Sequence, residues 1–342
     1  MSSPDPYEAA LDRAIIVDRS PRGIVAVTGR DRQILLHNLL TNDIASLGPG
    51  TGCYAALLTP QGRMISDMRV VALGDRVLVD VEPAAKDDLL RRLDQSIFSE
   101  DVRLADRSAL AVVRIAGPEA PRILPSLARS LGLDVRTSDA ELSAMEEYAA
   151  FEWGGNGDPV VVVRDDSLGL TGFDLVLPPE VGDQLMLEAQ SQGVMRAGDE
   201  TVETLRVEAG RPRFLVDMDR DTIPLEAGIE SRAISMTKGC YPGQEVIVRV
   251  LHRGHGRVAR RLVGVVIESE SVPAHGDAIV RGEQRVGTIT SAVRSPAVGK
   301  PIGLGYVRRD DSGPGTTVAV ISEGEPLPAR VVVLPFRRSD IP

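Results

Sequence analysis

Lys238-Gly239-Cys240-Tyr241-Pro242-Gly243-Gln244-Glu245 gathers several reactive residue types in one short stretch. It holds two glycines, a proline and one of the chain's 2 cysteines, with a cation two places before that cysteine. A lysine so near favours the thiolate, the form of cysteine that attacks and ligates. Glycine and proline predict a turn, and the following Val246-Ile247-Val248 predicts a strand. Such a turn either presents Cys240 at the surface as a reactive thiol or packs it inside as a small apolar group.

Three further clusters carry candidate chemistry. Asn42 and Asp43, in Leu40-Thr41-Asn42-Asp43, can hydrogen-bond a ligand or end a helix. Asp67, in Ser66-Asp67-Met68-Arg69, is an acid in an otherwise apolar strand. Arg69 is two residues on, on the same face, so Asp67 is either functional or half of an ion pair. Glu208 and Glu226 each open a Glu-Ala-Gly triplet. A glutamate there either accepts two N–H donors from a planar heterocycle or stands exposed on a helix.

Composition narrows the class. The chain has 342 residues, 43% of them hydrophobic and 26% charged, which is enough for two domains around real cores. A net charge of -10 argues against a general grip on nucleic acid or on an anionic membrane, and 3% aromatic residues supply few platforms for base stacking. The start, Met1-Ser2-Ser3-Pro4-Asp5-Pro6, lacks the pattern of a secretory signal, and no apolar run has membrane-spanning length. Cys53 and Cys240 form no CxxC and cannot supply the four thiolates of an ordinary iron–sulfur cluster, so the default is a reducing, cytoplasmic protein with no resident metal. His252 and His255, among Arg253 and Arg257, read as a basic loop. No dinucleotide fingerprint, phosphate loop, hydrolase elbow or zinc-protease helix is present.

The elements that must position these residues follow from periodicity. Ile24–Val27 reads as a strand, and Asp31 as the cap of a helix striped by Ile34, Leu35 and Leu39. Cys53–Thr59 and Met64–Leu73 form a hairpin around Pro60-Gln61-Gly62-Arg63. Helices are expected behind Pro83, behind Pro121, over Val181–Ala189 and from Asp199 to Ala209. Strands and helices mingle without strict alternation, so the class is α+β. Beyond Gly256 come six short strands: Leu262–Ile267, Ala278–Val280, Val286–Val293, Ile302–Val307, Thr317–Ile321 and Arg330–Leu334. They read as a small barrel or sandwich. The expected division is residues 1–256 and 257–342.

Lys238 to Glu245 resembles the KGCYxGQE signature of the YgfZ family of folate-binding proteins, with every fixed position met. Asn38–Asp43, Leu58–Arg63 and Leu205–Gly210 resemble segments of the wider aminomethyltransferase superfamily, which includes the glycine cleavage T-protein. Val286–Ser291 and Ile302–Val307 resemble its C-terminal barrel, so the likeness runs from Leu11 to Phe336. The resemblance implies intertwined α+β lobes around a central channel that takes tetrahydrofolate. Glu208 would hold the pterin ring, Lys238, Arg260 and Arg261 would lie near the folate tail, and Asn42, Asp43 and Asp67 are further candidate contacts. Aminomethyltransferases carry two adjacent aspartates where this chain has Ser66-Asp67, and the one credited with catalysis falls on Ser66. The resemblance therefore implies an accessory factor for assembling or repairing iron–sulfur clusters in client enzymes, and through a client for tRNA modification. Its functional thiol would be Cys240, tuned by Lys238. Gly239, Tyr241 and Gly243 would belong to the loop, Gln244 and Glu245 would brace it, and Arg249 would carry charge toward the channel. The alternative is a true folate-dependent one-carbon transferase or demethylase with Asp67 as the relocated acid.

Overall fold

In the computed structural model, residues 5–154, 159–253 and 257–337 are described, with only the backbone of 252 and 253. The expected His252–His255 loop therefore falls largely outside them. Two compact units divide the chain: Met1–Leu57, Ile65–Thr201 and Arg232–Pro242 in the first, and Leu58–Met64, Val202–Ser231 and Gly243–Pro342 in the second. The tip of the predicted hairpin and the middle of the chain thus belong with the C-terminal barrel strands.

The first unit is built on two sheets. One runs, in spatial order, Thr51–Leu58, Met64–Ala72, Arg76–Val81, Gly23–Thr28 and Arg103–Asp106. The other runs Met195–Arg196, Ile15–Asp18, Ala111–Ala116, Gly172–Leu177, Val160–Arg164 and Ala150–Trp153. Pairing is antiparallel except between Ile15–Asp18 and Met195–Arg196. Alternation of side chains lets Ile24, Ala26, Val71 and Leu78 of one sheet meet Val112, Val161, Val163 and Val176 of the other in one apolar cluster. The opposite face of the six-stranded sheet buries Ile115, Phe173 and Leu175 with Leu124, Leu127, Leu185 and Ala189 of the helices Ala120–Ser130 and Pro179–Ser191.

Charge also sits inside this unit. Arg69 donates to Asp165 and Asp174 at 2.5 Å each and to Asp80, and Arg114 donates through Nε to Asp174 at 2.6 Å. Arg114 also bonds Asp165, Arg19 bonds Asp174, and Arg22 bonds Asp80 at 2.8 Å and Glu82 at 2.5 Å. Burial opposes the charge of Asp174, yet Arg114, Arg19 and Arg69 hold its carboxyl well below the usual range. Asp165 and Asp80 are lowered in the same way, against burial, by their arginines. Four arginines face four carboxylates, so this cluster carries no net charge.

In the second unit, six antiparallel strands close into a barrel in the order Arg260–Ile267, Lys300–Arg308, Gln284–Ser295, Ala278–Arg281, Thr317–Ser322 and Glu325–Val332. Its interior is filled by Val265, Ile267, Ile279, Ile289, Val307, Val320 and Val331. All six strands expected beyond Gly256 are present, and the fold is α+β with a C-terminal closed β-barrel. Two local expectations are corrected. Asp31 precedes the helix Arg32–Leu39, but its side chain makes no cap bond and instead accepts from Asp101 N at 2.8 Å. Val246–Val248 belongs to the helix Gln244–Val248, not to a strand. Only Ile247 of that helix is buried, where a strand with one face packed inward would bury alternate residues.

Candidate functional site

The strand Met64–Ala72 sends Ser66 and Asp67 to opposite faces. Ser66 is fully buried and its hydroxyl donates to the Asp67 carbonyl at 2.8 Å, so it offers nothing to a ligand. Asp67 is half-buried, and its Oδ2 accepts from the Tyr54 hydroxyl at 2.6 Å across the hairpin. Burial pushes the Asp67 carboxyl up to about 6; the Tyr54 bond pulls down, Glu82 pushes up and Arg22 pulls down. Tyr54 goes well above its usual value, through burial and then the charge of Asp67, so the phenol keeps its proton. Asp67 is the partner that changes charge near neutral pH, which suits general acid–base work. The ion pair with Arg69 does not form: that guanidinium is bound to Asp80, Asp165 and Asp174. Above the Tyr54 ring, 5.0 Å from its centroid, lies the guanidinium of Arg232. Neither Tyr54 nor Arg232 stood out in the sequence, since a tyrosine in an apolar run and an arginine after a polar turn carry no spacing signal.

Asn42 turns out to clamp backbone. Its Nδ2 donates to Tyr54 O at 2.8 Å and Arg232 O at 2.9 Å, and its Oδ1 accepts from Asp43 N at 2.9 Å. Thr41 adds a bond to Ala233 O at 2.6 Å and accepts from Ala56 N at 2.8 Å. Asp43 lies 3.1 Å from His37 Nδ1. These bonds tie the Arg232–Pro242 segment to the strand that carries Tyr54.

Lys238 closes the same clamp. Its Nζ donates to Leu40 O at 2.5 Å, to Asn42 O at 3.2 Å and to His37 O. The helix Arg32–Leu39 ends there, and an ammonium satisfies carbonyls that have no partner within the helix. Burial lowers Lys238 to about 8, while Asp43 and Cys53 raise it. Nζ also sits 5.1 Å from the Tyr241 ring centroid. Cys240 is exposed, as is Gly239. Cys53 is half-buried, and burial with Asp43 pushes its thiol up to about 12, which leaves it a poor nucleophile.

The remaining candidates lie in the second unit. Glu208 ends the helix Asp199–Glu208, and its Oε1 accepts from the Ser295 hydroxyl. Arg260 pairs with Glu226 at 3.1 Å and stacks 4.6 Å over Tyr306; Arg261 and Arg249 are exposed. Gly243 adopts φ +82°, and a Cβ there would come within 2.5 Å of Thr59 O and 2.9 Å of Gly62 Cα. Gln244 and Glu245 form no side-chain hydrogen bond among the described residues, and Glu245 is exposed. A cavity of about 460 Å³ is lined by Asp217, Arg260, His275, Thr290 and Tyr306 among others. Asp217 is already occupied by Arg206 at 2.7 Å, Thr290 at 2.6 Å and Ser291 at 2.7 Å. Among the described residues no group of acids, histidines and cysteines could hold a metal, and no helix is long and apolar enough to cross a membrane.

A two-sheet α+β unit joined to a closed six-stranded barrel, with a titrating carboxyl on a hairpin strand, defines the architectural class. Residues 5–238 match the family described as GCVT N-terminal domain, and residues 260–337 match the glycine cleavage T-protein C-terminal barrel domain. An aminomethyltransferase of Rubrobacter xylanophilus is 32% identical over 333 residues, covering 97% of this chain and 85% of that protein. One from Streptomyces avermitilis is 31% identical, covering 98% and 90%. The crystal structure of the glycine cleavage system aminomethyltransferase T from Bartonella henselae superposes with a TM-score of 0.84 at 21% identity, covering 97% of this chain and 89% of that one, a likeness of fold. The chain belongs to the glycine cleavage T-protein family.

Proposed function

We propose that this protein is a tetrahydrofolate-dependent one-carbon transferase, of aminomethyl or methyl type, in which Asp67 handles the proton. The observation that carries this reading is the Tyr54-held carboxyl, half-buried and titrating near 6. Relatives at 31–32% identity named aminomethyltransferase support it. Tetrahydrofolate, when bound, accepts the one-carbon unit. The residues present suit it: Glu208 is half-buried, and a carboxylate is an acceptor-only group that matches the N–H donors of a pterin. Arg260 and Arg261 supply positive charge for a folate tail, whereas Lys238, Asn42 and Asp43 serve to hold the segment that carries Arg232. Asp67, ionised above pH 6, pairs with the donor amine in its protonated form, from which a neutral amine departs as the one-carbon unit is transferred, and Tyr54 holds the carboxylate in place. Calorimetric titration with tetrahydrofolate, followed by turnover of methylamine-type donors, tests the reading. Methyltetrahydrofolate should appear from a methyl donor and methylenetetrahydrofolate only from an aminomethyl donor, and Asp67→Asn should lower kcat by at least about a hundredfold. No turnover with any donor would overturn it. Glu208→Ala should weaken folate binding by about 1.5–3 kcal/mol if a charged hydrogen bond is lost.

A second reading is favoured by the complete KGCYxGQE stretch with an exposed Cys240. On it the protein is a YgfZ-type, folate-binding cytoplasmic accessory factor for iron–sulfur client enzymes, and through them for tRNA modification. Cys240 exchanges with client or cluster, Gln244, Glu245 and Arg249 serve the loop, and the working division of the chain is 1–256 and 257–342. Full restoration of client activity by Cys240→Ala, in cells lacking the native gene, would remove the thiol from the mechanism.

A further inference from the structure

Arg232 sits in the short helix Glu230–Ala233, and its backbone is fixed by the bond from Asn42 to its carbonyl. Its guanidinium carbon lies 5.0 Å over the centroid of the Tyr54 ring, a cation–π contact, yet no group among the described residues hydrogen-bonds that guanidinium or pairs with it. In the same unit Arg19, Arg22, Arg69, Arg76, Arg114 and Arg164 each have a carboxylate. A half-buried guanidinium held in one place with its donors unspent is an anion receptor. From the rim of the same ring the Tyr54 hydroxyl donates to Asp67.

We infer that Arg232 binds the carboxylate of the one-carbon donor, making that donor a small zwitterion with an amine at Asp67 and a carboxylate at Arg232. The assignment rests on the reading of Asp67 as the group that meets the donor amine. The planar fork of arginine matches a carboxylate through two parallel N–H bonds. Asp67, one tyrosine ring away, repels a doubly charged phosphate but attracts an ammonium. A simple amine would leave Arg232 unpaired, and a simple carboxylate would leave Asp67 unpaired. Opposite charges, one over the face of a rigid ring and one at its hydroxyl, therefore select for a molecule carrying both. The other groups that act on this pair are Glu82 and Arg22 on Asp67, and Tyr148 on Tyr54.

The test is binding, which needs no turnover. N-methylglycine, methylamine and acetate are titrated against the whole protein at pH 8, where Asp67 is ionised, by ligand-observed NMR. Wild type should bind N-methylglycine at least about tenfold more tightly than either fragment, and Arg232→Gln should erase that advantage. Arg232→Lys should keep part of it, and an unchanged thermal transition shows that the variants fold. Equal binding of the three probes, binding of none, or an Arg232→Gln protein that still prefers N-methylglycine would overturn the assignment. Preference for N-methylglycine lost in Arg232→Gln, without turnover of any donor, would uphold this site and reject the transferase reading instead.

Discussion

Tyr54 lends Asp67 one hydrogen bond that favours its charged form. Tyr54→Phe removes that bond and should move the Asp67 titration upward from about 6, seen as an alkaline shift in the acid limb of kcat/KM. The same carboxyl is a stability cost. Its folded value lies above the unfolded value of about 3.9, so the native state holds the extra proton between those limits and loses stability as pH rises through them. Asp67→Asn should therefore stabilise the protein at pH 7 by about 1–2 kcal/mol and hardly at all below about pH 4, by thermal unfolding at the two pH values. Lys238 shows how a residue's type can be plain while its task is not. Its charge looked like a tuner of Cys240, and the ammonium in fact rests on the carbonyls ending a helix about two hundred residues earlier in the chain, as the 201-residue separation from His37 records.

At the scale of elements, the turn Thr59–Arg63 and the turn at Gly243 pack backbone to backbone. Gly243 is left-handed at φ +82° and its Cα hydrogen faces Thr59 O and Gly62. Gly243→Ala adds both strain and a clash, and should cost more than about 1 kcal/mol in urea unfolding. Gly239→Ala, where a Cβ meets nothing within 4 Å, should be close to neutral in the same measurement. The helix Gln244–Val248 follows from this contact: the chain leaves Gly243 already turning, and Val246, Ile247 and Val248 continue the turn despite their preference for strands.

Across the whole first unit, the balanced set of four arginines and four carboxylates makes the fold acid-sensitive. Asp80, Asp165 and Asp174 are depressed below their unfolded value, so their contribution is fully present above about pH 4 and is lost as pH falls further. Asp174→Asn leaves Arg114 and Arg69 short of a partner and should destabilise by about 3–5 kcal/mol at pH 7, by urea midpoint.

The six barrel strands, the hairpin strand bearing Asp67 and the helices behind Pro83, Pro121 and Asp199 were legible because each repeats a local period of 2 or 3.6 residues. The alternation that put Ser66 and Asp67 on opposite faces was legible for the same reason. Pairing across long stretches was not. Nothing local to Tyr54 says that its hydroxyl meets Asp67, nor to Asn42 that it holds Arg232, nor to Arg69 that three distant aspartates claim it. Hydrogen bonds and charges act through space, so their partners are chosen only when the sheets and the clamp at Leu40–Asp43 bring them within reach.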